Sequence, residues 1–254
     1  MHKPEEVVIV FLDNGRRQIL NTGKDSSDLL YCIGCGNCLL DCPVYNTVGP
    51  FFGADGMLGG RGVALSSLLH GVREGIEDGL FLCTTCGLCE EVCPLSINAG
   101  KRLKDLRRRC LEDSKISAEL DEVKQLQTTI DRYGMPYEKM ARTEFPVSKR
   151  KSSVVLYIGC VGMTTESETT ELAIKLLNRL GVDFTLIDEV CCEAVKGDTG
   201  SSPSRERIKQ NIEKVKEAGG REVLFLCPTC LKTFSEYDAE EKTGLLFKTL
   251  TSYL

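Results

Sequence analysis

The sequence has little histidine, no long apolar run and no excess of positive charge. Its two histidines, His2 and His70, are too few for histidine-based acid–base chemistry. No apolar stretch approaches the length needed to cross a bilayer, so any membrane association must come through a partner. The formal net charge of −5 over 254 residues gives no basic footprint for nucleic acid.

Two sequence signatures are also missing. Residues 1–14 are charged, then briefly apolar, then turn-like, which is not the pattern of a signal peptide. We therefore expect a cytoplasmic protein whose cysteines are not paired as disulfides. The glycine-rich stretch at residues 49–62 neither follows a strand nor opens a βαβ unit, so it is not a dinucleotide-binding fingerprint.

Cysteine, by contrast, is abundant, with fourteen residues. The spacing Cys-x2-Cys-x2-Cys-x3-Cys-Pro occurs twice, starting at Cys32 and at Cys83. This spacing is typical of bacterial two-cluster ferredoxins, in which the fourth cysteine of each run binds the other cluster. It predicts two [4Fe-4S] clusters and an exchange of electrons one at a time.

The spacing also predicts which cysteines act together. Three thiolates spaced two residues apart can surround one cluster, while the fourth, followed by proline, points to its neighbour. The first predicted ligand set is Cys32, Cys35, Cys38 and Cys93. The second predicted ligand set is Cys83, Cys86, Cys89 and Cys42. Gly36 and Gly87 occupy matching places, where bare backbone can approach the inorganic sulfides.

Zinc is the main alternative for these runs, because isolated Cys-x2-Cys pairs often bind zinc through four thiolates. A zinc site has no use for an evenly spaced third cysteine, a distant fourth and a proline, repeated twice.

The predicted fold is α+β, with a mainly α-helical first part. We expect a β-hairpin in residues 1–24, formed by residues 7–12 and 17–20 around Asp13, Asn14 and Gly15. A two-[4Fe-4S] ferredoxin-like domain follows at residues 25–133, with helices at 26–31, 63–70 and from 101 to about 133. Residues 134–152 are predicted to be a linker.

Residues 153–254 are predicted to form a small α/β domain with a parallel sheet. Apolar strands at 153–158, 183–188 and 221–226 alternate with amphipathic helices at 166–180 and 205–218. The remaining cysteines, Cys110 apart, each fall just after one of these strands. Ligands in open α/β sheets bind at the carboxyl ends of strands, so these cysteines are predicted to converge. They are Cys160, Cys191, Cys192, Cys227 and Cys230.

Five converging thiolates exceed what zinc or a standard cubane requires. Zinc with a spare cysteine, or a redox-active Cys-x2-Cys dithiol, remain the alternatives for this set.

The whole pattern resembles heterodisulfide reductases and related iron–sulfur oxidoreductases. The second half resembles their cysteine-rich CCG domain, and the first half resembles their two-[4Fe-4S] subunit. The resemblance implies a noncubane [4Fe-4S] cluster bound by the five cysteines. Gly159 and Pro228 also fit the pattern.

Two departures from that family stand out. The glycine that usually follows the adjacent cysteine pair is Glu193, which could change the turn or bring a carboxylate near the cluster. Catalytic members carry two CCG domains in tandem, whereas this chain carries one. A complete paired site therefore implies a homodimer or a second CCG-domain protein.

Three functions are compatible with these features: a heterodisulfide reductase-type enzyme subunit, a non-catalytic electron conduit, and a subunit whose C-terminal cysteines hold structural zinc. We favour an electron-transfer subunit of a heterodisulfide reductase-like oxidoreductase complex, with thiol or disulfide chemistry as the candidate reaction. Because the sequence has no flavin or nicotinamide signature, a flavin-bearing subunit is a further expected partner.

Residues 107–109 are expected to form a solvated basic face or a docking spot for an acidic partner. Cys110 is expected to be a buried, inert thiol.

Overall fold

The computed structural model describes residues 6–21, 26–137, 142–147 and 150–254. The chain divides into two compact units, the first comprising Met1–Glu119 with Asp198–Gly200 and the second Leu120–Gly197 with Ser201–Leu254. The first unit is mainly helical and the second contains a parallel sheet. The predicted α+β fold is therefore confirmed.

Short helices dominate the first unit, with one antiparallel pair of two-residue strands, β1 (Gly53–Ala54) and β2 (Met57–Leu58). The helices are α1 (Arg16–Asn21), α2 (Asn37–Leu40), α3 (Pro43–Val48), α4 (Gly59–His70), α5 (Val72–Glu77), α6 (Leu88–Glu91), α7 (Ala99–Glu112) and α8 (Ser114–Ala118). Two 3-10 helices cover Ser27–Tyr31 and Gly49–Phe51.

Helix α4 is the centre of the first unit, and it contacts α5, α7 and both short strands. Its side chains Val63, Ala64 and Leu65 are buried. A side chain at Gly62 would come within 2.2 Å of the Met57 backbone, so glycine allows the hairpin to approach the helix. Close packing thus accounts for part of the glycine-rich stretch.

The predicted N-terminal hairpin is wrong over residues 6–21. Residues 7–12 form no strand there, and their apolar side chains are exposed. The Asp13 carboxylate instead accepts a hydrogen bond from the Arg17 backbone N–H at 3.0 Å, at the start of α1. The local turn signal is therefore used to begin a helix rather than to join two strands.

The second unit contains four parallel strands in the order β4-β3-β5-β6. They are β3 (Val154–Tyr157), β4 (Phe184–Leu186), β5 (Glu222–Phe225) and β6 (Leu246–Thr249). The helices are α9 (Asp121–Tyr133), α10 (Gly159–Gly162), α11 (Ser167–Arg179), α12 (Ala194–Asp198), α13 (Arg205–Glu217), α14 (Pro228–Glu241) and α15 (Leu250–Tyr253). The last residue of α12, Asp198, is grouped with the first unit.

The central strands are buried on both faces, as the continuous apolar sequence of β3 predicts. One face carries Tyr157 and Phe225, which pack with Val215 of α13 and Phe234 of α14. The other face forms a separate cluster that includes Leu156, Leu224 and Leu177 of α11. This register aligns the carboxyl ends of β3, β4 and β5.

The strands and helices predicted in the second half are confirmed to within two residues at each end, whereas β6, α10, α12, α14 and α15 were not predicted. Helix α9, assigned from sequence to the ferredoxin-like part, groups with the second unit. Of the predicted linker, residues 138–141 and 148–149 lie outside the described residues. Among the helices that are described, none has the length and apolar character to span a membrane.

Candidate metal centres

The two N-terminal cysteine runs have matching backbone geometry. Each passes from a loop into a four-residue helix, α2 or α6. The residues before these helices, Gly36 and Gly87, have φ angles of 80° and 88°. Side chains rarely tolerate this left-handed conformation, so glycine is required by the turn itself. The sequence duplication is therefore also a structural duplication.

One group of thiols forms around Cys38. Burial raises the pKa of the Cys38 thiol, and the neighbouring Cys32, Cys35 and Cys93 raise it further. These four cysteines line one cavity, and Cys89 of the second run also reaches it. Cys93, the last cysteine of the second run, is thus close to the first three cysteines of the first run.

The second group contains Cys83, Cys86, Cys89 and Cys42. Burial raises the pKa of Cys89 to about 12, and Cys83, Cys86, Cys38 and Cys42 contribute to the rise. The Cys83 pKa is also raised, chiefly by burial and further by Cys42 and Cys86. The influence of Cys38 on Cys89 indicates that the two groups are neighbours.

The first cavity has the features expected of a site for an anionic, sulfur-rich group. Arg61 lines it together with the four cysteines. The Arg61 Nε atom is buried and has no hydrogen-bond acceptor. A buried donor without an acceptor is costly, and an iron–sulfur cluster would provide both negative charge and acceptor sulfurs. The residues present therefore fit a [4Fe-4S] cluster.

Arg107 corrects the expectation of a solvated basic face at residues 107–109. Its side chain is 2% exposed, while Arg108 and Arg109 are exposed. Arg107 donates hydrogen bonds to the carbonyl oxygens of Leu80 and Cys83. It is therefore an internal support for the second cysteine run.

The five C-terminal cysteines meet at the carboxyl ends of β3, β4 and β5. Cys160 lies in α10 after β3, Cys191 and Cys192 follow β4, and Cys227 precedes α14 after β5. Hydrogen bonds between thiols link Cys160 to Cys191, Cys191 to Cys192, and Cys227 to Cys230. The Cys192 and Cys230 sulfurs are 3.3 Å apart. All five predicted residues are thus brought together.

The thiols of this group differ in acidity. Hydrogen bonds from Cys160 and Cys192 lower the pKa of Cys191 to about 3. A hydrogen bond from Cys230 lowers the pKa of Cys227 to about 5, helped by the backbone N–H groups of Thr229 and Cys230. The group can therefore provide thiolates, the form that binds metals. No set of three His, Cys, Asp or Glu side chains among the described residues is arranged for a single metal ion.

A buried polar network holds the loop that carries the adjacent cysteines. The Tyr157 hydroxyl donates to the Val190 carbonyl oxygen at 2.6 Å. The Asn211 side chain accepts from the Val190 N–H and donates to the Val190 carbonyl, both at 2.9 Å. Tyr157 and Asn211 are fully buried. Val190, the residue before Cys191, is therefore held through both its N–H and its carbonyl oxygen.

Glu189 joins this loop to the loop of Cys160. Its buried carboxylate accepts hydrogen bonds from the backbone N–H groups of Ile158 and Gly159. Burial raises the pKa of Glu189 to about 8, and the two N–H groups oppose that rise. The sequence analysis missed this residue, because a lone glutamate before a cysteine pair has no distinctive pattern.

Glu193 occupies the position after the cysteine pair with a φ angle of 57°, which glycine would adopt without strain. Its carboxylate is buried and lies 3.0 Å from Arg207 Nε and 3.7 Å from Lys196 Nζ. It also accepts a hydrogen bond from the Ser204 N–H at 2.8 Å. The carboxylate is thus engaged by cations and a backbone donor.

Tyr137 is a second residue near the C-terminal cysteines that the sequence analysis missed. The pKa of Tyr137 is raised by burial and by Cys160, Cys191 and Cys227, so its phenol is close to the C-terminal group. No motif marks Tyr137, which lies in the predicted linker. His70 ends α4, as expected, and His2 is outside the described residues.

Comparison with protein families identifies two domains. Residues 28–97 match the 4Fe-4S dicluster domain, and residues 154–235 match the cysteine-rich CCG domain. The chain therefore combines the two domain types that its motifs resemble. No solved structure shows significant similarity.

Several curated proteins are related to most of the chain. One subunit of the dihydromethanophenazine:CoB–CoM heterodisulfide reductase of Methanosarcina acetivorans is 27% identical over 238 residues, which cover 83% of this chain and 58% of the relative. The probable glycolate oxidase iron–sulfur subunit of Bacillus subtilis is also 27% identical, covering 87% and 62%. One subunit of the fumarate reductase (CoM/CoB) of Methanothermobacter marburgensis is 24% identical, covering 84% and 44%. The chain thus spans little more than half the length of the first of these relatives.

Proposed function

We propose that this chain is an iron–sulfur electron-transfer subunit of a heterodisulfide reductase-like oxidoreductase complex. The observation that carries the proposal is the grouping of its cysteines. All except Cys110 belong to one of three groups, two in the first unit and one in the second. Two groups of four and one group of five match two cubanes and one further cluster.

In this proposal the first unit holds two [4Fe-4S] clusters with exchanged fourth ligands. The proximity of Cys93 to Cys38, and of Cys42 to Cys89, supports the exchange. Each cluster supplies one-electron transfer when bound. The protein contributes the thiolates, the burial of the sites and the charges around them.

The second unit is proposed to hold a noncubane [4Fe-4S] cluster through Cys160, Cys191, Cys192, Cys227 and Cys230. A cubane has four irons and needs four protein ligands, so five connected thiols favour a different cluster. The adjacent pair supports the same conclusion, because neighbouring thiolates can bind different irons or bridge two. The resemblance to the CCG domain points in the same direction.

Electrons are proposed to pass from the cubanes to the C-terminal site for thiol or disulfide chemistry. The named relatives include reductase subunits, which supports a multi-subunit assembly. We propose a flavin-bearing subunit or a second CCG-domain protein as partner, or a homodimer, with no role for nucleic acid. The proposed location is the cytoplasm, with a membrane reached only through a partner.

A non-catalytic electron conduit is the second candidate. It is favoured by the single match to a CCG domain, at residues 154–235. A paired site of two such domains would need a second CCG domain besides residues 154–235. Turnover of a disulfide by the chain with its partner would separate the two candidates, because a conduit alone gives none.

Anaerobic purification of the full chain tests the proposal. Iron, acid-labile sulfide and zinc are measured on the same sample, and the reduced and oxidised forms are examined by electron paramagnetic resonance (EPR). Three clusters with little zinc support the proposal, while stoichiometric zinc at the C-terminal site contradicts its third cluster. Cys192→Ser should abolish the C-terminal signal, whereas Cys110→Ala should leave it unchanged. A four-cysteine cubane that survives Cys192→Ser would exclude the noncubane cluster.

A further inference from the structure

An arginine from a neighbouring helix docks just ahead of each N-terminal cysteine run. Arg61 of α4 donates through Nη2 to the Leu29 carbonyl oxygen at 2.9 Å. Arg107 of α7 donates to the Leu80 carbonyl oxygen at 2.9 Å through Nε and 2.7 Å through Nη2. Leu29 stands three residues before Cys32, and Leu80 stands three residues before Cys83. The two arginines therefore contact equivalent points of the duplicated motif.

Arg61 combines this contact with a position in the first cavity. It lines the cavity with Cys32, Cys35, Cys38 and Cys93. Its Nε is buried without an acceptor. The Nη2 group thus binds the backbone at Leu29, while the Nε–H remains available to a group bound in the cavity.

Arg107 is fixed more tightly at the second run. In addition to Leu80, it donates to the Cys83 carbonyl oxygen at 2.6 Å and to the carbonyl oxygen of Asp198. The Asp198 carboxylate instead lies 2.9 Å from Lys104 Nζ and accepts from the Thr85 hydroxyl at 2.7 Å. The hydrogen bonds of Arg107 go to neutral carbonyls, so no carboxylate neutralises its buried positive charge through these contacts beside Cys83.

We propose that Arg61 and Arg107 are a pair of positioning residues, one for each [4Fe-4S] cluster, whose positive charges make that cluster easier to reduce. The inference rests on the proposed function, because it requires clusters at both groups. Reduction adds one electron and one negative charge to a cluster. A fixed cation in a partly buried site favours the more negative state, and nearby charge and hydrogen bonds to sulfur set cluster potentials.

Redox titrations of the anaerobically purified full chain, followed by EPR with dithionite as reductant, test this pairing. The variants are Arg61→Gln and Arg107→Gln, with Arg61→Lys and Arg107→Lys to retain the charge. Arg108→Gln is the matched control, because Arg108 is the next residue on α7 and its side chain is 56% exposed.

Each glutamine variant should lower the midpoint potential of one cluster, and the two variants should affect different clusters. We expect the ratio of reduced to oxidised cluster at a fixed potential to fall about tenfold, which is about 59 mV for a one-electron couple. In the lysine variants, the affected cluster should retain most of its wild-type midpoint potential. Arg108→Gln should change the midpoint potential of neither cluster.

The inference would be overturned if Arg61→Gln and Arg107→Gln proteins retained both clusters with unshifted midpoint potentials. It would also be overturned if Arg108→Gln shifted a midpoint potential as much as these two variants do. If Arg107→Gln fails to keep its cluster, the potentials of Arg61→Gln and Arg107→Lys decide the question. A wild-type chain without iron would refute the proposed function itself, which is a different result.

Discussion

The backbone N–H of Ile158 donates a hydrogen bond to the Glu189 carboxylate at 2.8 Å. The other carboxylate oxygen accepts from the N–H of Gly159. Ile158 and Gly159 lead into Cys160, and Glu189 is two residues before Cys191. A single side chain therefore connects two of the three loops that carry the C-terminal cysteines.

Replacing Glu189 with glutamine should damage the C-terminal site. Glutamine has one acceptor oxygen, so one backbone N–H would lose its partner and face an amide donor. We expect a loss of stability of about 1–3 kcal/mol, typical of an unsatisfied buried group, together with reduced iron content. Iron per chain and the thermal midpoint Tm are the measurements. Asp188→Asn is the control because the Asp188 side chain is 80% exposed; a similar loss in both variants would contradict this role.

Single cysteine substitutions test the exchange between the N-terminal groups. Cys93→Ser should chiefly damage the cluster of Cys32, Cys35 and Cys38, because Cys93 lies with that group. Cys42→Ser should chiefly damage the other cluster. EPR spectra of the two reduced variants should therefore lose different signals. Loss of the same signal in both, or a structure with Cys42 and Cys32 on one cluster, would disprove the exchange.

Placing glycine at position 193 should destabilise this chain. Glu193→Gly removes left-handed strain of about 1 kcal/mol, but it leaves Arg207, Lys196 and the Ser204 N–H without the buried carboxylate. We expect a net loss of about 1–2 kcal/mol, seen as a lower Tm. If the ion pair between Glu193 and Arg207 contributes to stability, Glu193→Gly should lower the free energy of unfolding by less in an Arg207→Gln background. A higher Tm for Glu193→Gly would show that the strain outweighs these contacts.

Cys110 should resist alkylation in the folded protein. It is fully buried, as the sequence analysis expected, and burial raises its pKa to about 11. The thiolate is the reactive form, so labelling should be negligible at pH 7 and rise only as the pH approaches 11. Mass spectrometry after iodoacetamide treatment, with denatured protein as the control, measures this. Rapid labelling of native protein at pH 7 would contradict the buried, protonated thiol.

Periodicity and spacing were sufficient for much of the fold and for the grouping of the cysteines. The apolar strand at Val154–Tyr157 and its parallel partners follow from continuous hydrophobic sequence, and parallel strands must end at the same edge. The cysteines after those strands were therefore predicted to converge, and they do. Their ligation by clusters stays a prediction.

Long-range contacts account for the features that the sequence did not reveal. Arg107 has the same local sequence character as exposed Arg108, and only its packing against Leu80 and Cys83 distinguishes them. At Asn14 and Gly15 the turn residues fit a hairpin or a helix start equally well. The hydrogen bond from the Arg17 N–H to Asp13 shows which structure forms.

The placement of Cys93 beside Cys38 also bears on how the protein is made. When only the first cysteine run has been translated, the nascent chain provides three of the four thiols of the first group, because Cys93 has not yet been made. That group is completed only after the second run has left the ribosome. Iron loaded earlier would meet an incomplete coordination sphere, so maturation is expected to wait until translation has passed Cys93.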